Sequence, residues 1–307
     1  MGKLLTNKIS AQSIKTFEST LTSDDRVLIS GASGWFGQTA IAMSRLVGVD
    51  FMATGSVGRL IQVDNEQQRI EPHSIEVVSR FRPTVVLDSA FVTREKLKPL
   101  GLEKYVSTNL ELINMSREIA RLSSVKRYIG FSSGAVTHLA GHQSFELAHN
   151  PYAALKKTYE NELVKLGEVS GMQMSIPRVF SVSGAYVNRP EIFAFSDFIL
   201  QAKQGKISIK SNERVFRRFS PIEDVIGLSS ILASRPDPIV YETGGELIEL
   251  LELAELVAQA SSPRVTVSHN LNESKPQNHY HSDDLSWQAN LKDHNLEQES
   301  VQSQISR

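Results

Sequence analysis

The chain has 307 residues, of which 40% are hydrophobic, and a formal net charge of −1. That length can bury a full core in one large or two small domains, and the even charge balance gives no basis for a nucleic-acid or anionic-membrane partner. With no cysteine, disulfides, thiolate metal sites and a cysteine nucleophile are all excluded.

The opening Met-Gly-Lys-Leu-Leu-Thr-Asn-Lys lacks the long apolar core of a signal peptide. No stretch approaches the ~18 apolar residues of a membrane span, so a cytoplasmic protein is expected. Residues 8–22 carry the pattern of a short amphipathic helix inside an N-terminal extension over 1–25. Arg26-Val-Leu-Ile-Ser30 reads as the first strand and runs straight into Gly31-Ala-Ser-Gly34-Trp-Phe-Gly37, with a helical stretch at Gln38–Val47. Further strands are expected at Phe51–Thr54, Pro83–Ala90, Val125–Phe131 and Met174–Phe180, with helical patterns at 73–81, 104–123 and 152–170. Strand and helix alternate, which predicts an α/β, Rossmann-like, doubly wound and mostly parallel sheet forming a dinucleotide-binding domain over 26–180.

After about residue 180 the rhythm changes. Pro190 opens a helix to about Lys203, an extended piece follows at Ile207–Lys210, Phe219-Ser-Pro-Ile-Glu-Asp-Val leads into another helix, and a third helix is expected at Leu247–Ser261. These pieces predict a smaller C-terminal lobe over 181–291 that binds a second ligand. A tail at 292–307, rich in Gln, Asn, Glu and Ser, is expected to fray.

Three features carry chemistry. Glycines at 31, 34 and 37 after a strand permit a tight turn, let backbone N–H groups approach a pyrophosphate and allow close helix-to-strand packing. Gly31, Ser33, Gly34, Trp35, Phe36 and Gly37 are therefore candidate dinucleotide-binding residues. At the end of the second strand, Ala53-Thr54-Gly55-Ser56-Val57-Gly58-Arg59 holds no carboxylate to meet an adenosine ribose, and the first acid is Asp64. NADP is therefore favoured over NAD, with Ser56 and Arg59 as contacts for the 2′-phosphate. The third feature is Ser133 with Tyr152 and Lys156. A tyrosine and a lysine four apart on a helix share one face, so the ammonium favours the ionised phenol and makes it a general acid or base. Ser133, at a strand's carboxyl end, is placed to orient the reacting oxygen. The loop between holds His138, His142 and His149, but without carboxylate support it reads as solvated, and no metal is expected.

These residues together resemble the extended short-chain dehydrogenase/reductase family, in its nucleotide-sugar epimerase and dehydratase branch. The resemblance runs from about Arg26 to Leu291 through the Gly31–Gly37 turn, Leu87-Asp-Ser-Ala90, Thr108-Asn109-Leu110, Ser132-Ser133-Gly-Ala-Val136, Tyr152-xxx-Lys156, Arg178–Gly184, Arg217–Asp224 and Tyr280-His-Ser-Asp283. It implies that Ala90 and Asn109 lie at the cofactor, that Ser133, Tyr152 and Lys156 form the active site, and that Ser181, Arg217 and Lys275 face the substrate, Arg217 at its diphosphate. A homodimer built through the helices at 104–123 and 152–170 is also implied. Departures narrow the reaction. Sugar-nucleotide 4,6-dehydratases carry Asp-Glu after the active-site hydroxyl, whereas this chain has Gly134-Ala135, which disfavours dehydration. Ser181 stands where relatives often have Asn.

The leading expectation is an NAD(P)-dependent nucleotide-sugar epimerase working by hydride transfer with Tyr152 as acid/base. A reductase of a keto-sugar nucleotide or of a small carbonyl compound uses the same residues. A non-enzymatic dinucleotide sensor is the third reading, and such proteins generally lose the tyrosine or lysine that this chain keeps.

Overall fold

The structure, a computed structural model, describes residues 9–138, 147 and 149–307. It divides into two compact units, Ser10–Val179 with Glu223–Tyr241, and Phe180–Ile222 with Glu242–Arg307.

The first unit opens with α1 (Ala11–Glu18), capped by the Ser10 hydroxyl on the Ser13 N–H. It continues through β1 (Arg26–Ser30), α2 (Trp35–Val47), β2 (Asp50–Gly55), β3 (Arg59–Val63), β4 (Glu66–Pro72), α3 (Ile75–Phe81), β5 (Val85–Asp88), α4 (Leu97–Leu100), α5 (Leu102–Ala120), β6 (Arg127–Gly130), β7 (Ser132–Ser133), α6 (Ala135–His138), α7 (Pro151–Ser170) and β8 (Gln173–Val179). A strand at Ile239–Glu242 completes the sheet, whose order from that edge is Ile239–Glu242, β8, β6, β5, β1, β2, β4, β3. The pairings β2–β1, β1–β5, β5–β6 and β6–β8 are parallel, as expected from alternating strands and helices. In β1, Val27, Leu28 and Ile29 are all fully buried, which explains an unbroken apolar strand covered on both faces. One face packs Leu28, Val86, Tyr128 and Met174 against Tyr105 and Ile113 of α5 and Leu155, Tyr159 and Leu163 of α7. Each such side chain contributes about 1.5–3 kcal/mol on burial.

The β3–β4 hairpin was not expected from the sequence. Its pattern carries little contrast because β3 is an edge strand, with Arg59, Leu60 and Gln62 exposed. Asp64 makes its turn at φ 55°. The order of the strands reverses between β1 and β5, so their carboxyl ends flank the point where an open α/β sheet binds its ligand.

In the second unit a sheet forms around Val215–Pro221, which pairs with Glu246–Glu249, Asn278–His279 and Ser181–Ser183. Three sequence expectations change here. Leu247 and Ile248 are in a strand, not in the helix, which spans Leu250–Ala260; Ile248 is buried opposite Arg217. The tail ends in an ordered helix at Val301–Ser306: Ser300 caps it, Val301 is fully buried, and Gln304 accepts a hydrogen bond from Ser183 Oγ at 2.6 Å. Polar composition hid that amphipathic turn. The stretch 223–241, expected in the C-terminal lobe, belongs to the first unit, where Gly227 packs against Thr16 of α1.

Candidate active site

The glycine turn is built to leave space. Gly31 has φ +65°, and a Cβ there would meet the backbone and hydroxyl of Ser89 at 2.8 Å. A Cβ on Gly37 would lie 2.5 Å from Ala32 Cα and from the Gly31 carbonyl oxygen. Gly34 is the N-cap of α2 and offers no side-chain acceptor to the first turn, so these amides and the helix dipole are available to an anion. Trp35 is buried, Phe36 lies half-buried, and the Ser33 carbonyl accepts from Gln38 Nε2 at 3.1 Å. The residues present thus fit a dinucleotide pyrophosphate.

At the end of β2, Ser56 and Arg59 are exposed, and Arg59 forms no ion pair among the described residues. The carboxylate closest in register is Glu71, paired with Thr54 across β2–β4 and engaged by Arg69 Nε at 2.6 Å. His73 Nδ1 bonds Thr54 Oγ1 at 2.9 Å, and burial holds its ring below the usual histidine range, opposed in part by Asp88.

The proposed catalytic side chains all lie in this unit. Ser132 and Ser133 form β7 and point to different tasks: Ser132 Oγ donates to Glu160 Oε1 at 2.7 Å, while Ser133 Oγ accepts the Ala135 N–H at 3.2 Å and so keeps its own proton to donate. Asn150 caps α7 by accepting from the Ala153 N–H, and Pro151 occupies its first turn, which places Tyr152 at the positive end of the helix. Tyr152 meets Phe91 edge to face at 5.9 Å. One turn on, Lys156 is 5% exposed; its Nζ donates to the Phe131 carbonyl at 2.7 Å and lies 3.9 Å from the centroid of the Phe91 ring. Burial pushes this lysine down to about 8, against the opposing charges of Asp88 and Glu160. The Phe131 ring in turn lies 4.5 Å from Phe36 of α2. One residue therefore holds the lysine through its carbonyl and the glycine-turn helix through its ring.

Ala90 is half-buried, and its N–H donates to Asp88 Oδ1 and Ser30 Oγ. Asn109 is fully buried, with its amide spent on Val92 N–H and C=O and on the Tyr105 carbonyl. It therefore fixes the chain after β5 and offers no free polar atom. His142 lies outside the described residues, and among those described no group of three potential metal ligands forms.

In the second unit, strand Val215–Pro221 carries Arg217 and Arg218, and Arg214 immediately precedes it. Arg214 binds Glu249 at 2.5 Å and Arg218 lies 3.3 Å from Asp284. Arg217 has no carboxylate partner among the described residues: it donates to the Phe216 and Asn278 carbonyls and approaches the Tyr280 ring at 5.6 Å. Burial lowers its affinity for the proton, opposed by Tyr280 and Glu213. Ser181 is half-buried in register with Phe219, and exposed Lys275 donates to Asn212 Oδ1 at 2.9 Å.

Residues 27–244 match the NAD dependent epimerase/dehydratase family. The chain belongs to that family. It is an enzyme of the NAD-dependent short-chain dehydrogenase/reductase type, with a Rossmann-like fold. Its fold is similar to that of an epimerase from Methanothermobacter thermautotrophicus, with a TM-score of 0.70 and 20% identity over 97% of this chain and 94% of that one. It is similar too to UDP-glucose 4-epimerase from Thermus thermophilus in complex with NAD, with a TM-score of 0.67 and 19% identity over 92% and 96% of the two chains. A third is TunA, an NAD-dependent NDP-hexosamine 5,6-dehydratase of tunicamycin biosynthesis, with a TM-score of 0.69 and 20% identity over 92% and 95%. No curated protein sequence matches the chain significantly.

Within this family member, sequence reasoning missed the buried supports of the site. Glu160, 1% exposed, takes a two-pronged ion pair from Arg178 at 2.9 and 2.8 Å, and Arg178 Nη1 donates to Thr137 Oγ1 at 2.9 Å. Asp88, 2% exposed, gathers hydroxyls from four elements. The available signal was an aspartate ending an otherwise apolar strand and a glutamate four residues after Lys156.

Proposed function

We propose that the protein is a nucleotide-sugar epimerase that oxidises and re-reduces one sugar carbon, with Tyr152 as acid/base, Lys156 as its cationic partner and Ser133 as donor to the reacting oxygen. The observation that carries this reading is the junction at Phe131, which ties Lys156 to the helix of the glycine turn. When bound, the nicotinamide dinucleotide supplies the site that takes hydride and gives it back. The chain's own residues do the rest. Tyr152 removes the proton of the sugar hydroxyl, Lys156 lowers the cost of the phenolate, and Ser133 holds the oxygen. Once the keto sugar has turned, Tyr152 returns the proton. Gly134 and Ala135 supply neither acid nor base beside Ser133, which argues against dehydration.

For the substrate diphosphate we propose Arg217, which unlike Arg214 and Arg218 has no acid partner among the described residues, with Ser181 and Lys275 as further contacts. Reversing its charge in Arg217→Glu is expected to raise the KM for nucleotide sugars about 10–100-fold, the value of a charge-assisted hydrogen bond, and to leave dinucleotide affinity unchanged. An unchanged KM would remove the diphosphate from this assignment.

The cofactor is proposed to be NADP, through the exposed Arg59, which has no ion pair among the described residues, and the Ser56 hydroxyl. Arg59→Ala is expected to weaken NADP about tenfold in a fluorescence titration, with NAD affinity unaltered. This same preference favours the second reading, a reductase, in which Tyr152 gives its proton to a carbonyl. A homodimer through α5 and α7 is proposed as well, with Leu102 and Leu110 exposed on α5, and sedimentation tests it. A panel of nucleotide sugars with each cofactor, followed by nicotinamide absorbance and product analysis, separates the readings. Redox-neutral interconversion supports the epimerase, stoichiometric cofactor oxidation replaces it by the reductase, and failure of every nucleotide sugar overturns both nucleotide-sugar readings and leaves the reductase of a small carbonyl compound.

A further inference from the structure

Asp88 ends β5 in the core and takes no part in the chemistry above. Its Oδ2 accepts hydroxyls from Ser116 of α5 at 2.6 Å, Tyr128 of β6 at 2.6 Å and Tyr159 of α7 at 2.8 Å. Its Oδ1 accepts from Ser30 at the end of β1 and from the Ala90 N–H. Five donors are more than a neutral carboxylic acid needs, and they suit a carboxylate. Despite burial, these hydrogen bonds hold Asp88 below its usual range. Gly130 makes room for the arrangement, since a Cβ there would meet the Tyr159 hydroxyl at 2.7 Å.

Every one of these donors is neutral, and no arginine or lysine pairs with Asp88 among the described residues. Glu160 differs, because Arg178 and Lys157 both approach it, at 2.8 and 3.6 Å. The two carboxylates are the charges that act on Lys156, whose Nζ lies 5.1 Å from the centre of the Tyr159 ring, and that ring's hydroxyl is bound to Asp88. The other ionisable groups around the pair are Tyr152 and Tyr159 on the lysine's own helix, Tyr128 on β6 and His73 after β4, whose burial disfavours its charged form while Asp88 favours it. Glu160 has its charge offset by Arg178, so Asp88 is the net anion facing the buried ammonium.

We propose that Asp88 is a positioning residue for the acid/base chemistry: its buried, cation-free carboxylate keeps Lys156 protonated while its hydroxyl partners fix the ends of β1 and β5 beside the glycine turn. The inference rests on the reading that Lys156 assists Tyr152. Without Asp88 the lysine loses its main uncompensated counter-charge and gives up its proton at lower pH.

The test is a pH titration of Lys156 by NMR in protein labelled with 13C at the lysine ε carbon, the signal being assigned by its loss in Lys156→Met. The unaltered protein is expected to show a midpoint near 8, and Asp88→Asn, which keeps the side-chain shape but turns one acceptor oxygen into an amide donor, to lower it by about one pH unit or more. The alkaline limb of kcat/KM is expected to move by the same amount, whereas a merely structural role would lower activity without moving the limb. A folded Asp88→Asn protein with an unmoved lysine midpoint overturns the inference. Where Asp88→Asn alone fails to fold, the double variant Asp88→Asn/Lys156→Met is expected to fold, because both members of the charge pair are gone; failure of the double variant also overturns it. The titration needs no turnover, so a shifted lysine in a protein that converts no nucleotide sugar leaves this coupling intact and removes only the proposed activity.

Discussion

Tyr152→Phe is expected to lower turnover of an accepted nucleotide sugar by about 10²–10⁴-fold, the usual contribution of a positioned general acid or base. The change removes one hydroxyl and keeps the ring, so the edge-to-face contact with Phe91 survives and the fold is expected to hold. Dinucleotide affinity is expected to change little, because the glycine turn and Lys156 remain in place. Circular dichroism, cofactor titration and steady-state kinetics on the same preparation separate these effects. Full activity in the phenylalanine variant would assign the proton transfer to another group and revive the reading of a dinucleotide-binding sensor.

The second large effect falls on the cofactor turn. In Gly37→Ala the new methyl meets Ala32 Cα and the Gly31 carbonyl oxygen at 2.5 Å, and both are backbone atoms that cannot rotate aside. Helix α2 must lift off the turn, at a stability cost of about 1–3 kcal/mol for an overpacked contact. The first-turn amides then lose their convergence, and dinucleotide affinity is expected to fall about a hundredfold, equivalent to about 3 kcal/mol of charge-assisted hydrogen bonding. A melting curve with and without cofactor measures both parts: the variant should melt lower and show little upward shift on adding dinucleotide. A normal ligand-induced shift would place the pyrophosphate elsewhere.

Much of the first unit was legible because its signals are local. A strand buried on both faces must be apolar throughout, so Val27, Leu28 and Ile29 announced β1, and the glycines after it announced the turn. Asn150 and Pro151 begin α7, and Tyr152 and Lys156 fall one turn apart by helical geometry alone. Edge elements were harder. The β3–β4 hairpin exposes most of its side chains, so alternation carried little contrast. The final helix hid because only Val301 and Ile305 are apolar there, and their burial depends on a distant cluster around Phe219 and Leu253.

The sequence by itself determined the order of strands and helices, the steric freedom of the glycine turn and the pairing of Tyr152 with Lys156, since each depends on neighbours within a few residues. Only the tertiary structure decided which of two adjacent serines donates to Glu160 and which accepts from the Ala135 N–H, which of three arginines lacks an acid partner among the described residues, and that Asp88 lies among Ser30, Ser116, Tyr128 and Tyr159. The physical reason is that charge compensation in a low-dielectric core is a property of distances, and residues separated by 28 to 71 positions in the chain meet at one carboxylate.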